Sequence, residues 1–417
     1  MSKTVLGSIT LNYQPIWNQQ RMISGFRIQA EPLNHHHVDA RHLLDALESL
    51  WRDSAPLMLL SVRSKILLED LLDQVTAQGP WIEVQESHTS DEKIAQKICA
   101  AHSKGVRLVW RGEGGSGPAL HTKGWFCKTL RALSPHEALV SLRVARTQFP
   151  ASRYGGSAVL QSPVLANQLY EGLASQTLVE HALDQQGAWG VVGWPSDEIL
   201  HGYRFTKIQP ARHLLENLMQ AIEDDESLEQ IEHRLGEEPI LTYRFLKFAN
   251  SAALGLGHAI SSVRHGLMDL GYTKVRDWLE EQMLDSSSDT NLEPLRLSMV
   301  LRARIMEQLT ETGIEDELRR ELFLCGIFSQ LDYEIGESLG RALHRIPLPG
   351  RILSAILAKT GPYSPWLEVA SALESNSHQL IKNVCMAHQI PLNTVNRALM
   401  RTLASISTTH RRVTEAA

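Results

Sequence analysis

The sequence predicts an α/β domain followed by an all-α domain, on three observations. In the first half, short apolar runs typical of strands alternate with amphipathic stretches, the order expected for βα units. From about Pro210 onward, nearly every segment has a helical period, which predicts a helical bundle. The length of 417 residues also exceeds one ordinary hydrophobic core, so two domains are expected.

Strand-like runs in the first half have the length and apolar character of buried strands. They are residues 8–16, 58–62, 81–84, 106–110, 139–144 and 189–194. Between them, the stretches 41–51 and 92–102 each place apolar side chains on one helical face. This alternation predicts a parallel sheet or a barrel with helices packed outside it.

Helical stretches fill the second half. They are residues 239–250, 295–309, 318–331, 350–359 and 366–373. The boundary between the halves lies near residues 208–212, where the strand-like runs stop. The predicted organisation is therefore an α/β domain over residues 1–207, a helical domain over 208–405 and a tail over 406–417.

Composition excludes several classes of protein. The net charge of −6 gives no electrostatic reason to expect broad nucleic-acid binding. The four cysteines have no C-x-x-C spacing, so we expect reduced thiols, with no disulfide framework and no zinc site. We see neither a signal peptide nor an apolar run long enough to span a bilayer, so a cytoplasmic protein without membrane contacts is expected.

The second half contains a specific set of motifs. They are Glu238-Pro239 at a helix start, Asn250-Ser251 at its end, Ile260-Ser261-Ser262-Val263, and Leu270-Gly271. This pattern resembles the HDOD family, which consists of helical domains related to the HD phosphohydrolases. The resemblance implies that Pro239, Asn250, Ser251, Ile260, Ser262 and Gly271 are the motif positions.

Simple physical chemistry gives these motif residues structural roles. Pro239 suits the first turn of a helix. Asn250 and Ser251 can close the helix by bonding to loop backbone. Gly271 suits a left-handed position after Leu270. We therefore expect these residues to shape the fold.

HD phosphohydrolases hold a metal through a His-Asp pair and further ligands, and the metal activates a water molecule. The sequence contains no His-Asp dipeptide. Ser329, Gln330 and Asp332 stand where the resemblance would place that pair. Serine and glutamine are poor ligands for such a metal, so we expect this half to lack phosphohydrolase activity.

The first half resembles EAL domains, the barrels that cleave cyclic di-GMP. The resemblance rests on Tyr13-Gln14-Pro15-Ile16-Trp17, on Met22-Ile23-Ser24-Gly25-Phe26 as the opening strand pair, and on His201-Gly202-Tyr203-Arg204-Phe205 as a closing strand. An EAL-like domain joined to an HDOD domain is a known arrangement. The predicted fold is therefore a degenerate EAL-like, TIM-type barrel followed by an HDOD bundle.

The metal ligands of the EAL family are replaced in this sequence. Arg27-Ile28-Gln29 stands in place of the Glu-Ala-Leu signature, and Arg111-Gly112 stands in place of two metal-binding aspartates. The strand that should carry a further aspartate aligns near Arg143. Glu83 or Glu86 remains as one ligand, and one carboxylate cannot hold two cations. The resemblance thus implies no catalytic residues, no metal and no cofactor.

These losses predict a non-catalytic bacterial signalling adaptor that binds other signalling proteins in cyclic di-GMP-linked control of motility or biofilm. The alternative is a sensor that binds cyclic di-GMP or another nucleotide without hydrolysis, with Arg27, Arg111 and Arg143 pairing with phosphates. A simpler account remains open, in which these arginines fill an abandoned metal site and pair with Glu31, Glu83 or Glu86.

Overall fold

The computed structural model describes residues 4–33, 38–51, 54–112, 117–147, 161–203, 207–254, 257–310, 315–332 and 337–406. The chain divides into two compact units. One combines Met1–Glu198 with Ala372–Ala417, and we call it the barrel unit. The other is Ile199–Ser371, and we call it the helical unit.

The compact units do not coincide with the predicted domains, 1–207 and 208–405. The first division falls at Glu198, and the residues after Ser371 group with the barrel. The physical reason is that the last helices of the chain bond to the first strand of the barrel, as described below. Of the predicted tail 406–417, only Ile406 is described, and the rest lies outside the described residues.

Eight strands close into a barrel in sequence order. They are β1 (Ile9–Trp17), β2 (Ile23–Pro32), β3 (Leu57–Val62), β4 (Trp81–Gln85), β5 (Leu108–Gly112), β6 (Lys128–Ala132), β7 (Leu169–Glu171) and β8 (Gly190–Val192). β1 is antiparallel to β2 and to β8, and all other neighbouring pairs are parallel. The predicted α/β barrel is confirmed. The carboxyl ends of β2 to β8 meet at one end of the barrel, which we call the mouth.

Helices connect and cover the strands of the barrel unit. They are Ala40–Leu50, Lys65–Gln74, Glu86–Thr89, Glu92–Ser103, Pro135–Thr147, Gln176–Glu180, His378–Ala387 and Leu392–Ala404. Asp39, Ser64 and Asp91 fix the starts of three of them, because each side chain accepts backbone N–H groups of the first turn.

Two predicted strands are wrong. Residues 139–144 lie in helix Pro135–Thr147, which begins where Ser134 and Glu137 each accept the other's backbone N–H. In the predicted closing strand, His201 and Gly202 form the last turn of helix Ser196–Gly202, and residues 204–206 lie outside the described residues. The strand that closes the barrel is β8, which pairs with the end of β1.

The C-terminal helix Leu392–Ala404 protects an edge of β1. β8 pairs with β1 only at Ile16 and Trp17, which leaves the backbone nearer Ile9 without a strand on that side in the described chain. The fully buried Asn396 donates its Nδ2 to the carbonyl oxygens of Ile9 (2.9 Å) and Leu6 (2.7 Å). Its Oδ1 accepts the Leu11 N–H at 3.3 Å. One amide side chain thus substitutes for a neighbouring strand.

The helical unit is built almost entirely from helices. They are Arg212–Glu223, Leu228–Gly236, Pro239–Ala249, Val263–Leu284, Glu293–Gln308, Asp316–Phe328, Leu339–Leu343 and Gly350–Leu353, with Ser364–Leu373 at its end. Aromatic contacts fix its core, such as Phe245 against Trp278 with ring centroids 5.5 Å apart. The predicted helical bundle is confirmed.

Candidate functional site at the barrel mouth

A layer of charged side chains fills the barrel near its mouth. Arg27 on β2 makes two hydrogen bonds to Glu83 on β4, at 2.6 and 2.7 Å. Its Nη1 donates to Glu171 on β7 (2.9 Å) and to Gln14 on β1 (2.9 Å). Arg27 and Glu83 have side chains only 2% and 1% exposed. The guanidinium of Arg27 therefore links its own strand to three others by hydrogen bonds.

A second arginine completes this layer. Arg111 on β5 donates its Nε to Glu171 at 2.8 Å and lies 3.8 Å from Glu83. Ser61 on β3 donates its hydroxyl to Glu83 at 2.9 Å. We call Arg27, Glu83, Arg111 and Glu171 the mouth cluster. Below it lies an apolar layer, formed by Ile16, Leu59, Val109, Leu130, Leu169 and Val192.

The mouth cluster favours the charged form of its arginine. Burial by itself lowers the pKa of Arg27, but Glu83 and Glu171 together raise it by more, so the net shift is upward. Two guanidiniums and two carboxylates also balance in formal charge. A buried pair of this kind is stable only because nearly every donor has an acceptor in good geometry.

These side chains do not fit a divalent metal site. Catalytic divalent cations of this type need several oxygen ligands free to face the ion. Here the oxygens of Glu83 and Glu171 already accept guanidinium hydrogens, and Arg27 puts a positive charge between them. Among the described residues, no three His, Cys, Asp or Glu side chains come together in a way that could hold a metal ion.

The structure separates the three arginines proposed for phosphate binding. Arg27 and Arg111 meet in the mouth cluster, whereas Arg143 is an exposed residue of helix Pro135–Thr147 outside the barrel. Arg143 therefore does not belong to the site, because the segment expected to be its strand is a helix.

The contacts agree with the simpler account, in which the arginines pair with carboxylates of the barrel. The carboxylates are Glu83 and Glu171, however, and not Glu31 or Glu86. Glu83 is the predicted partner of Arg27. Glu31 instead lies 3.8 Å from His378, and Glu86 starts a helix after β4. Glu171 was missed, because it ends a strand of only three residues that carries almost no periodic signal.

The motif residues of the helical unit have the expected structural roles. Pro239 begins its helix, and the Glu238 side chain caps it. Asn250 clips the following loop, since its Nδ2 donates to the Ile260 carbonyl oxygen and its Oδ1 accepts the Ile260 N–H, both at 2.8 Å. Ser262 caps the next helix through the His265 N–H. The Ser251 N–H donates to the Phe248 carbonyl oxygen, which continues the turn.

Gly271 interrupts helix Val263–Leu284 with a φ of +71°. The positive φ was predicted, but the chain resumes a helix after it instead of ending there. A side chain at this position would find open space, so the requirement for glycine comes from the backbone alone.

The degenerate HD position contains no pair of metal ligands. Ser329 follows helix Asp316–Phe328, donates its hydroxyl to the Gly326 carbonyl oxygen (2.7 Å) and accepts from Arg302 at 3.0 Å. Gln330 and Asp332 follow as half-buried residues. Arg302, at 7% exposure, brings a buried positive charge to this position as well.

One further group has the geometry of a nucleophile and a base. The Ser162 Oγ lies 2.8 Å from His181 Nε2, and His181 Nδ1 lies 2.6 Å from Gln185 Oε1. However, His181 is fully buried, and the Ser162 hydroxyl also accepts the Val164 N–H. We interpret the group as a polar clip that holds the chain before β7.

Comparison with known proteins identifies the helical unit. Residues 208–333 match the HDOD domain. The chain contains an HDOD domain. The HDOD match begins at the predicted boundary and includes every motif residue and the degenerate HD position. Together with the closed barrel, it confirms the predicted two-part EAL-like and HDOD architecture.

Relatives of the chain include a curated protein of cyclic di-GMP signalling. It is the cyclic di-GMP phosphodiesterase CdgJ of Vibrio cholerae, 23% identical over 171 residues, which are 41% of this chain and 40% of that protein. The match thus spans less than half of the relative's length. The chain is related to cyclic di-GMP signalling proteins.

Two solved structures are also similar. One is BlrP1 of Klebsiella pneumoniae in a manganese and cyclic di-GMP complex, 12% identical, with a TM-score of 0.31 over 45% of this chain and 55% of that one. The other is the EAL enzyme Bd1971 in a cGMP-bound form, 15% identical, with a TM-score of 0.27 over 45% of this chain and 60% of that one. In the described part of this chain, we find no helix with the length and apolarity needed to cross a bilayer.

Proposed function

We propose that the protein is a non-catalytic signal-transduction protein, a regulatory adaptor that acts through protein–protein contacts in cyclic di-GMP-linked control of motility or biofilm. The observation that carries the proposal is the mouth cluster. Arg27 stands between the two carboxylates that would have to face a cation, and they bind its guanidinium instead.

The helical unit supports the same proposal independently. At the degenerate HD position, Ser329 binds Arg302, so a second buried guanidinium lies where the resemblance would place a metal. Each unit keeps the residues that shape its fold. In each, an arginine also binds the polar side chains at the position where the resemblance would place a metal. A protein that keeps its fold without a metal site is suited to act through contacts with other proteins.

The proposal is tested with the purified full chain, cyclic di-GMP and either magnesium or manganese. We expect no saturable uptake of manganese in calorimetry and no linear dinucleotide in chromatography above a protein-free control. In the source bacterium, the wild-type chain and the Arg111→Ala variant should restore motility or biofilm equally in a deletion strain. Turnover by the wild-type chain would refute the proposal.

A second candidate function is a nucleotide sensor that binds without hydrolysis. It is favoured by Arg111, whose side chain is 31% exposed at the mouth and can reach a phosphate while it stays near Glu171. Calorimetric binding of cyclic di-GMP that is weakened by Arg111→Ala would favour the sensor over the adaptor. Arg143→Ala is the matched control, because Arg143 lies on an outer helix and should leave that binding unchanged.

A further inference from the structure

The β1–β2 ribbon has a polar face that extends from the barrel interior past the mouth. Ile16 lines the interior, and side chains alternate along a strand, so Gln14, Asn12 and Thr10 lie on the same face. Their partners across the ribbon are Arg27, Gln29 and Glu31 respectively. Polar groups therefore follow one another outward from the mouth cluster.

A C-terminal helix of the chain covers the outer part of this face. We call His378–Ala387 the strap helix and Leu392–Ala404 the anchor helix. Just before the strap helix, the Ser375 carbonyl oxygen accepts the Asn12 Nδ2 at 3.0 Å. At its first residue, His378 Nδ1 lies 2.9 Å from the Thr10 hydroxyl. The strap helix is therefore seated on polar groups of the ribbon.

The seat under the strap helix is incomplete. Asn12 Oδ1 and Gln29 Oε1 are buried and lack a hydrogen-bond partner within the described chain. A buried acceptor without a donor destabilises the arrangement that buries it. Asn12 also bonds to Ser375, just before the strap helix, so water would reach Asn12 Oδ1 if this segment moved away. The closed arrangement therefore carries an internal cost that opening removes.

His378 is the titratable group of this seat. The Thr10 hydroxyl donates to the Glu31 carbonyl oxygen at 3.2 Å, so it accepts from the His378 Nδ1–H, and Nε2 is left as the site of protonation. Nε2 lies 3.8 Å from the Glu31 carboxylate. Burial lowers the pKa of His378, an effect that Glu31 opposes and Arg63 reinforces.

Protonation of His378 and seating of the strap helix oppose each other. The pKa of His378 is lower when the strap helix is seated, so the open form binds a proton more readily. The seat contributes fully above the pKa of a free imidazole, about 6.5, and its contribution is lost as the pH falls below that value.

The two C-terminal helices are built to separate. The anchor helix is held by the deeply buried Asn396 and by a buried apolar face. The strap helix buries mainly Ile381 and Cys385 behind His378, while Leu380 and Met386 are exposed. Between the helices, Gln389 has a φ of +56°, a conformation that is strained for a residue with a side chain.

We propose that the strap helix is a pH-sensitive cover of the polar face of the β1–β2 ribbon, released by protonation of His378 while the anchor helix stays in place. Release opens the outer side of the barrel mouth at Asn12 and Gln29. This device does not depend on what the barrel binds.

Hydrogen–deuterium exchange of the full chain tests the proposal, with intrinsic rates corrected at about pH 5.5 and about pH 7.5. We expect the protection of the strap helix to fall several-fold on acidification, by at most roughly tenfold per pH unit, the limit for one proton. The anchor helix should keep its protection. Parallel loss of protection in both helices would overturn the proposal.

Variants separate titration from simple loss of a contact. His378→Gln can still donate to Thr10 but does not titrate, so its strap helix should show no pH dependence, whereas the matched control His388→Gln should behave like the wild type. Glu31→Gln removes the attraction to protonated His378 and should increase the loss at low pH. A pH response that persists in His378→Gln would refute the role of this histidine.

Discussion

Two asparagines, the half-buried Asn250 and the fully buried Asn396, perform the same task in the two units over very different distances along the chain. In the helical unit, Asn250 clips the backbone of Ile260, ten residues away. In the barrel unit, Asn396 satisfies the backbone of Leu11, which is 385 residues away. The helical unit thus satisfies its backbone locally, whereas the barrel depends on a segment from the far end of the chain.

The buried ion pairs of the two units differ in the group whose pKa is shifted. Arg296 binds Glu293 within one helical turn and lies 2.9 Å from Glu238. Burial raises the pKa of Glu238, although Arg296 opposes the shift, so the charged form of this carboxyl is disfavoured. The mouth cluster instead raises the pKa of Arg27, because two carboxylates outweigh burial.

Removing the central cation should have the largest effect. Arg27→Met leaves Glu83 and Glu171 without their main partner inside the barrel, and we expect the barrel unit to lose about 3–5 kcal/mol in free energy of unfolding. Urea denaturation followed by hydrogen exchange of barrel peptides measures this loss. Arg111→Met should cost clearly less, since that side chain is partly exposed. Equal losses would mean that burial does not set the strength of the cluster.

Removing the distant amide should have the next largest effect. Asn396→Ala leaves the Leu11 N–H and the Ile9 carbonyl oxygen buried without partners, and we expect a loss of roughly 1–3 kcal/mol in the barrel unit. The matched control is Asn393→Ala on the same helix, because the Asn393 side chain accepts the Thr4 hydroxyl at the exposed surface and does not support β1. If Asn393→Ala costs as much, the edge of β1 does not depend on the amide.

A local cap of the helical unit should have a smaller effect. Ser262→Ala removes the acceptor of the His265 N–H, and we expect a loss of about 1 kcal/mol in the unfolding free energy of the helical unit. Ser261→Ala changes the neighbouring residue without touching the cap. A loss in the barrel unit from Ser262→Ala would contradict the separation into local and long-range bonding.

The smallest expected effect is a change in pH dependence. A carboxyl with a raised pKa in the folded state stabilises the fold at low pH, and this contribution is lost as the pH rises above its usual 4.5 and through the raised value. We expect Glu238→Gln to flatten that decline for the helical unit, measured by urea denaturation across this range. The neighbour Glu237, which is more exposed, provides the control Glu237→Gln; an equal flattening there would exclude Glu238 as the cause.

The sequence predicted what depends on neighbouring residues. The helix start at Pro239, the clip at Asn250 and the cap at Ser262 follow from local chemistry, and the alternation of the first half indicated the barrel. Half of the mouth cluster could be predicted, because Arg27 stands at the signature position that the resemblance marks and Glu83 lies on a predicted strand. Glu171 could not be predicted, since a strand of three residues is too short to show a hydrophobic period. The strand predicted at residues 139–144 was wrong, because Ser134 and Glu137 cap a helix there.

The bond between Asn396 and the edge of β1 also fixes an order of events during synthesis. A ribosome must complete the whole helical unit before the residue that covers the first strand leaves the exit tunnel. Until then, the nascent barrel presents an uncovered strand edge, a surface on which chains associate wrongly. Truncated products that end before Asn396 should therefore aggregate, even though they contain every strand of the barrel.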